Sequence, residues 1–512
     1  MPLRRWYEAA TTIPGAPGVH SLSVTAKSWR ETALDVAAAG GRLVAMWAAE
    51  GGSDRPTMHA ALAAEPGVLV MRLELGGMHP RYPGLEEIFP AAARMQRAAA
   101  DMSGVLAVGG DPRPWLRHAA WPEDFHPLNG TTPPSRPAER VADAYPFVRV
   151  EGDGVHEIPV GPVHAGIIEP GHFRFSVVGE KVLRLEERLG YVHKGIERRF
   201  TELPLLEGHR LAARVSGDAA VAFSWAWCQA LEGLAGAAIP PRAAWLRALA
   251  LELERIANHL GDLGALGNDA GFAFGLSQFS RLKEGLLRAN ETAFGQRYLL
   301  DFITPGGTRA DLNAGATEAL AAFIRKLTDE ARELHDIYAE HAGVRDRFSG
   351  AGAVSPELAA RLGLTGLAGR ASGQAFDLRV DLPCAPYAEL MPRKHGRLDG
   401  DVAARVHLRF DELFESCRLV LQILQRLPTG PHLMSAEAPA DGGFGVGFIE
   451  GWRGPVFIAL TAGPGGSIRR CHAHDPSWQN WPVLEHAIIG NIVPDFPLIN
   501  KSFNLSYSGH DL

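Results

Sequence analysis

Between Pro240 and Gly264 six aliphatic residues, Leu246, Leu249, Leu253, Ile256, Leu260 and Leu263, recur at steps of three and four. That spacing lines them along one side of an α-helix, the seam a helix buries between partners. Pro240-Pro241 pre-sets the backbone for a start and Gly264 marks the expected end, so a helix is predicted over roughly Arg242–Leu263. A seam of this length needs other helices to cover it. Two further long stretches, Thr317–His341 and about Gly400–Leu427, are also read as helices.

Flanking stretches carry β signals. Phe147–Glu186 is β-rich, and residues 443–475 read FGVGFIEGWRGPVFIAL, a GPGG turn, then SIRRCHAH. GPGGSI (Gly463–Ile468) is a hairpin turn rather than a nucleotide loop, because no helix pattern follows it. Toward the amino end, Arg42–Ala48 and Val68–Leu75 are β-like and Glu87–Asp101 looks helical. His126–Pro137 is dense in proline with no apolar period, a linker by composition. At 512 residues the chain exceeds one compact core. The expected class is α+β: a small N-terminal α+β domain (1–126), a proline-rich linker (127–150), and a large, mainly helical domain (151–512) with peripheral β-hairpins.

Composition excludes several functions. Lys and Arg number 51 against 58 Asp and Glu, a net charge of −7 without long like-charge blocks, which argues against a nucleic-acid partner. Cys228, Cys384, Cys417 and Cys471 are scattered and form no CxxC pair, so no disulfide framework is expected. MPLRRWYEAATTIPG lacks the apolar core of a secretory signal. The longest near-apolar run, Ala219–Cys228, is about half of the ~20 residues a membrane-spanning helix needs. If a membrane matters, this chain is expected to sit against it.

Several stretches concentrate chemistry-bearing residues. Gly161–Phe200 is a glycine- and proline-punctuated segment with His164, Glu169 and His172. Ala213–Glu232 reads ARVSGDAAVAFSWAWCQALE, Glu450–Gly454 reads EGWRG, and the tail reads FPLINKSFNLSYSGHDL. Glu252, Arg255, His259 and Asp262 form a polar stripe at helical spacing, either an ion-pair face or a proton path. In Cys471-His472-Ala473-His474 a strand would put the cysteine and the histidines on opposite faces, so no metal is expected there.

These stretches resemble the large-subunit family shared by membrane-bound, energy-converting nickel–iron hydrogenases and the quinone-site 49-kDa subunit of respiratory complex I. EPGHFRF is similar to the hydrogenase EGH segment, whose glutamate moves protons; that position is Glu169. GYVHKGIERRF is similar to the family's GYLHRGIEK run. Ala213–Glu232 resembles RxCGxCxxAHSxAxCQAxE, with Gly217, Ala222, Ser224, Cys228, Gln229 and Glu232 in register. The two ligand cysteines of that pattern fall on Ser216 and Ala219. The tail resembles the DPCxxC end, with its cysteines at Ser506 and Gly509. EGWRG resembles EAPRGE, whose arginine projects toward the active-site cavity; here it is Arg453. LDGDVAARVHLRFDELFES resembles the GDVYARxxxRxEE helix, bringing Asp401, Arg405 and Arg409, and DFITPGGTRADL resembles a structural PGG turn. Residues 80–128 resemble the complex I 30-kDa subunit, a fusion typical of formate-hydrogenlyase-type hydrogenases.

Nickel and iron require soft thiolate donors, and the four matching positions offer hydroxyl, methyl and hydrogen instead. The resemblance therefore implies a chain with no metal and no cofactor of its own, with iron–sulfur clusters in partner subunits. Implied partners are a small iron–sulfur subunit, a ferredoxin-like iron–sulfur subunit, a complex I-like membrane subunit and antiporter-like membrane subunits. The implied location is peripheral, on the cytoplasmic side of a bacterial inner membrane. Glu169 and Arg453 are the expected working residues of a cavity lined by His164, His172, Ser216, Asp218, Ala219, Ser506, Gly509 and His510. Three functions compete: a metal-free oxidoreductase subunit using a quinone-like acceptor, a redox-inert scaffold coupling conformational change to ion movement, and a hydrogenase with unconventional ligands.

Overall fold

The computed structural model describes residues 3–50, 55–130, 145–164 and 168–512. Most of the expected 127–150 linker lies outside them.

The leucine seam forms helix Pro241–Asp269, buried along most of its length between helices Ala273–Phe294 and Val402–Arg426. It passes the expected stop at Gly264. That glycine serves packing instead: a Cβ there would stand 3.2 Å from the Phe279 Cβ, so its absence lets the neighbouring helix cross closely. The other two long helices run Ala314–Glu340 and Val402–Arg426. Asn313 and Asp401 cap them by accepting from the amides of Ala316 and Ala404, which satisfies N–H groups that a helix start leaves orphaned. Asp401 is thus a capping residue.

In the N-terminal region the strand order is Thr11–Thr12, Val19–Ser23, Gly67–Glu74, Pro56–Ala64, Arg42–Glu50, antiparallel except for the Val19–Ser23/Gly67–Glu74 pair. Helix Ala92–Ser103 begins five residues later than expected, because Leu85–Ala91 is spent on turns through Phe89-Pro90. A three-stranded antiparallel sheet, Phe444–Glu450, Pro455–Ala462 and Ile468–His474, carries helix Ala220–Ala235 on one face. Gly447 makes that approach possible, since a Cβ there would fall 1.8 Å from the Ala226 carbonyl oxygen.

The two sheets share a core. Ile13, Val44, Trp47 and Val70 pack with Val446, Phe448, Phe457 and Ala459, and the Ala16 amide donates to the Val446 oxygen at 2.7 Å. Trp47 is sandwiched between His59 and His472, with ring centroids at 4.9 and 5.0 Å. Both faces of strand Ile468–His474 are therefore covered, and Cys471, His472, Ala473 and His474 are all buried. Among the described residues no group of three or more His, Cys, Asp or Glu is arranged to hold a metal ion, and no helix is long and apolar enough to cross a membrane. The α+β class holds as expected.

His472 Nδ1 lies 2.7 Å from Glu197, which also pairs with Arg470 at 3.0 Å. Burial works to raise the Glu197 carboxyl, but the Arg470 charge and the His472 hydrogen bond outweigh it and hold it at about 2 against an ordinary 4.5. A depressed carboxylate stabilises the fold above its unfolded pKa and loses that contribution as pH falls toward its folded one. About 3 kcal/mol should disappear between pH 4.5 and 2. Glu197→Gln should flatten this part of the stability–pH curve in urea titrations.

Candidate functional site

Three distant stretches converge on one point. The turn Gly217–Ala219 opens helix Ala220–Ala235 and presents Asp218. The end of strand Phe444–Glu450 leads into Trp452 and Arg453. In the tail, Asn504 at φ +45° turns the chain between helix Phe496–Phe503 and the short helix Tyr507–Asp511. Ser506 caps that last helix, its Oγ accepting from the Gly509 amide at 2.8 Å.

The contacts are close and mostly charged. Arg453 Nη2 sits 2.5 Å from Asp218 Oδ2, and its Nε donates to the Asn504 carbonyl at 2.5 Å. Ser216 Oγ donates to Asp218 Oδ1 at 2.7 Å and meets Ser506 Oγ at 2.8 Å. Since Ser216 spends its single proton on Asp218, Ser506 is the donor of that pair. Ser508 Oγ lies 3.4 Å from Ser506 Oγ, and the Ser508 amide donates to Glu169 Oε2 at 3.1 Å. Burial alone would raise the Asp218 carboxyl, but Arg453 and the Ser216 hydroxyl together hold it below the ordinary range.

Not all expected residues gather here. Ser216, Asp218, Ala219, Arg453, Ser506 and Gly509 are at or beside the cluster. Glu169 is exposed and touches the cluster through the Ser508 amide, so it is not the carboxylate that pairs with Arg453. Asp218 takes that place. His172 turns away, its Nδ1 on the Gly161 carbonyl at 3.0 Å and its ring near Phe147; His164 is part-buried on the same side loop. His510 lies behind the cluster, stacked on Trp478 at 4.1 Å and hydrogen-bonded to Asp511 at 2.9 Å. Burial lowers its imidazole, which is therefore neutral at pH 7.

The polar stripe is a buried ion-pair network rather than a solvated face. Glu252 binds Arg379 at 3.2 Å, the Tyr387 hydroxyl at 2.7 Å and the Ser416 hydroxyl at 2.6 Å. Arg255 donates to the carbonyls of Glu450 and Gly451, fixing the turn that presents Arg453. His259 meets Glu412 at 3.3 Å and Asp262 pairs with Arg409 at 2.8 Å. The PGG turn is structural as expected: the Gly306 amide donates to Glu232, which also pairs with Arg247. Cys228 is buried, and burial pushes its thiol well up.

Two carboxylates escaped the sequence reading. Asp475 is fully buried with Oδ2 unpartnered, 3.9 Å from Arg453, and burial raises it. Its local pattern, Asp-Pro-Ser, signals only a turn, and Oδ1 indeed accepts from the Ser477 amide. Glu254 accepts from the Val221 and Ala222 amides, yet burial outweighs both bonds and pushes it up to about 8. It sits off the stripe, where no residue spacing singles it out.

The residues present do not fit a nickel–iron centre. The four positions that the resemblance pairs with ligand cysteines offer two hydroxyls, a methyl and a hydrogen, none of them a soft donor. A side chain at Gly509 would also meet Asp475 Oδ2 at 2.7 Å and Ser506 Oγ at 2.9 Å.

Residues 269–441 match the family described as respiratory-chain NADH dehydrogenase, 49 Kd subunit. The chain is 32% identical to formate hydrogenlyase subunit 5 of Escherichia coli (strain K12) over 449 residues, 86% of this chain and 79% of that protein. It is 31% identical to hydrogenase-4 component G of the same organism, covering 84% and 76%. A solved structure, the membrane-bound sulfane sulfur reductase, an archaeal respiratory membrane complex, shares the fold at TM-score 0.66 and 24% identity, over 70% of this chain and 99% of that one. The chain belongs to the large-subunit family that unites formate hydrogenlyase subunit 5 and hydrogenase-4 component G with the 49-kDa subunit of respiratory NADH dehydrogenase.

Proposed function

We propose that this chain is the large subunit of a membrane-associated, hydrogenase-related or NADH-dehydrogenase-like oxidoreductase complex, and that its site works without nickel and iron. The relatives' names place them in hydrogenase and NADH–quinone oxidoreductase complexes. The observation that carries the metal-free part is the Ser216–Ser506 hydrogen bond, joining two stretches 290 residues apart where the resemblance expects thiolates. In this reading the chain docks peripherally on a membrane arm, beside iron–sulfur partners that deliver electrons to a quinone-like acceptor.

The residues suit proton handling. From Asp218 the line of hydroxyl hydrogen bonds runs through Ser216 and Ser506 to Ser508, whose backbone amide is held by the exposed Glu169. Each hydroxyl both donates and accepts, so a proton moves along the line when each rotates in turn. Arg453 keeps Asp218 ionised and orients it. Ser506→Ala removes the central link, and coupled turnover of the assembled complex should fall at least tenfold; Ser506→Thr, which restores a hydroxyl, should recover most of it. Elemental analysis of the purified complex tests the metal-free reading. Iron from partner clusters with no stoichiometric nickel is expected, and one nickel per copy of this chain would overturn it.

A further inference from the structure

Beside the Arg453 cluster, and sharing Asp218 with it, a cavity of about 270 Å³ opens between helices Pro241–Asp269 and Ala273–Phe294 and the segment 297–300. Its polar walls include Asp218, Glu254, Lys283, Asn290 and Arg297; Leu287 and Leu299 contribute apolar surface. Two of these polar groups are unspent. Lys283 makes no hydrogen bond or ion pair among the described residues. Asn290 is 2% exposed, donates through Nδ2 to the Arg297 carbonyl at 3.2 Å, and leaves Oδ1 without a partner. A buried amide oxygen without a donor is costly, and a ligand hydroxyl is one way to satisfy it.

Charge narrows the ligand further. Asp218 is neutralised by Arg453 at 2.5 Å, and Arg297, also on the cavity wall, by Glu284 at 2.6 Å. Glu254, held at about 8 by burial, is mostly uncharged at pH 7. Lys283 is then the uncompensated charge, so the cavity favours a single negative charge over none or two. The wall is also held in an unusual shape: Leu299 on it and Asp301 just beyond it have φ of +56° and +58°, a region side chains disfavour. Asp301 is clamped there by Arg214 Nη1 and Nη2, at 2.6 and 2.9 Å.

We propose that this cavity binds a small monoanionic hydroxy acid, its carboxylate on Lys283, its hydroxyl donating to Asn290 Oδ1, and its short apolar body against Leu287 and Leu299. The proposal is independent of the metal-free reading, whose test is the nickel measurement. Isothermal titration calorimetry of the purified full chain with L-lactate, propionate and lactamide separates the contributions of charge and hydroxyl. Lactate should bind saturably, at least tenfold more tightly than lactamide and severalfold more tightly than propionate. Lys283→Met should weaken lactate at least tenfold, Lys283→Arg should keep it, and Asn290→Leu should bring lactate to the level of propionate, each with an unchanged unfolding midpoint. The proposal fails if none of the three binds saturably, if lactate is no tighter than lactamide, or if Lys283→Met binds lactate like the parent. Should Lys283→Met not fold, the comparison of the three ligands on the parent and on Lys283→Arg decides by the same criteria.

Discussion

Arg370→Met is expected to cost more stability than any other single change considered, on the order of 3–5 kcal/mol, seen as a large drop in the urea midpoint or as insoluble protein. Arg370 is 1% exposed and bonds Glu412 at 2.7 Å, Glu450 at 2.8 Å and the Phe376 carbonyl at 2.9 Å. Its removal leaves two carboxylates in the core without their shared cation. The neighbouring contacts make this worse, because Glu412 also holds His259 and Glu450 also accepts from the Leu378 amide. The chain as a whole holds a margin of only about 5–15 kcal/mol, so one such loss consumes a large share of it. Arg4→Ala is the matched control: its pair with Glu8 lies on the surface, and its loss should cost under about 1 kcal/mol.

Glu254→Gln should do the opposite, stabilising the protein in alkaline solution. Burial pushes the Glu254 carboxyl up to about 8 from an ordinary 4.5. The folded state then binds its proton more tightly than the unfolded state. That contribution is complete below pH 4.5 and is lost as pH rises through 8. The parent should lose on the order of 3–5 kcal/mol across this window, and glutamine, which cannot ionise, should not. Thermal unfolding at pH 5 and pH 9 checks it: the two proteins should be similar at the first and separated at the second. Equal midpoints at pH 9 would mean that the Val221 and Ala222 amides stabilise the carboxylate enough to cancel its burial.

The sequence made three long helices legible because one face of each carries the apolar period, but it did not single out helix Ala273–Phe294, which packs directly on the seam. Its error at Gly264 has a clear cause. Glycine ends helices through its backbone freedom, but it also sits inside them where another helix comes close, and local sequence does not distinguish the two. Ser216, Asp218, Arg453 and Ser506 were legible only through resemblance, since no spacing links residues that meet across 290 positions. Glu169 shows the converse. Its motif matched, but burial and orientation depend on how the tail folds over it. Glu254 and Asp475 had no signal at all, because what makes them unusual is the surroundings that bury them.

The joint core beneath the two sheets has a practical consequence for dissecting this protein. Cutting near residue 128 would strip Val44, Trp47 and Val70 of Phe448 and Phe457 and expose an indole now held between two imidazoles. Either fragment, produced alone, would present a sticky apolar surface that the intact chain never shows. Pull-downs with such pieces would then capture proteins through that raw surface, and only the uncut polypeptide can report its true neighbours.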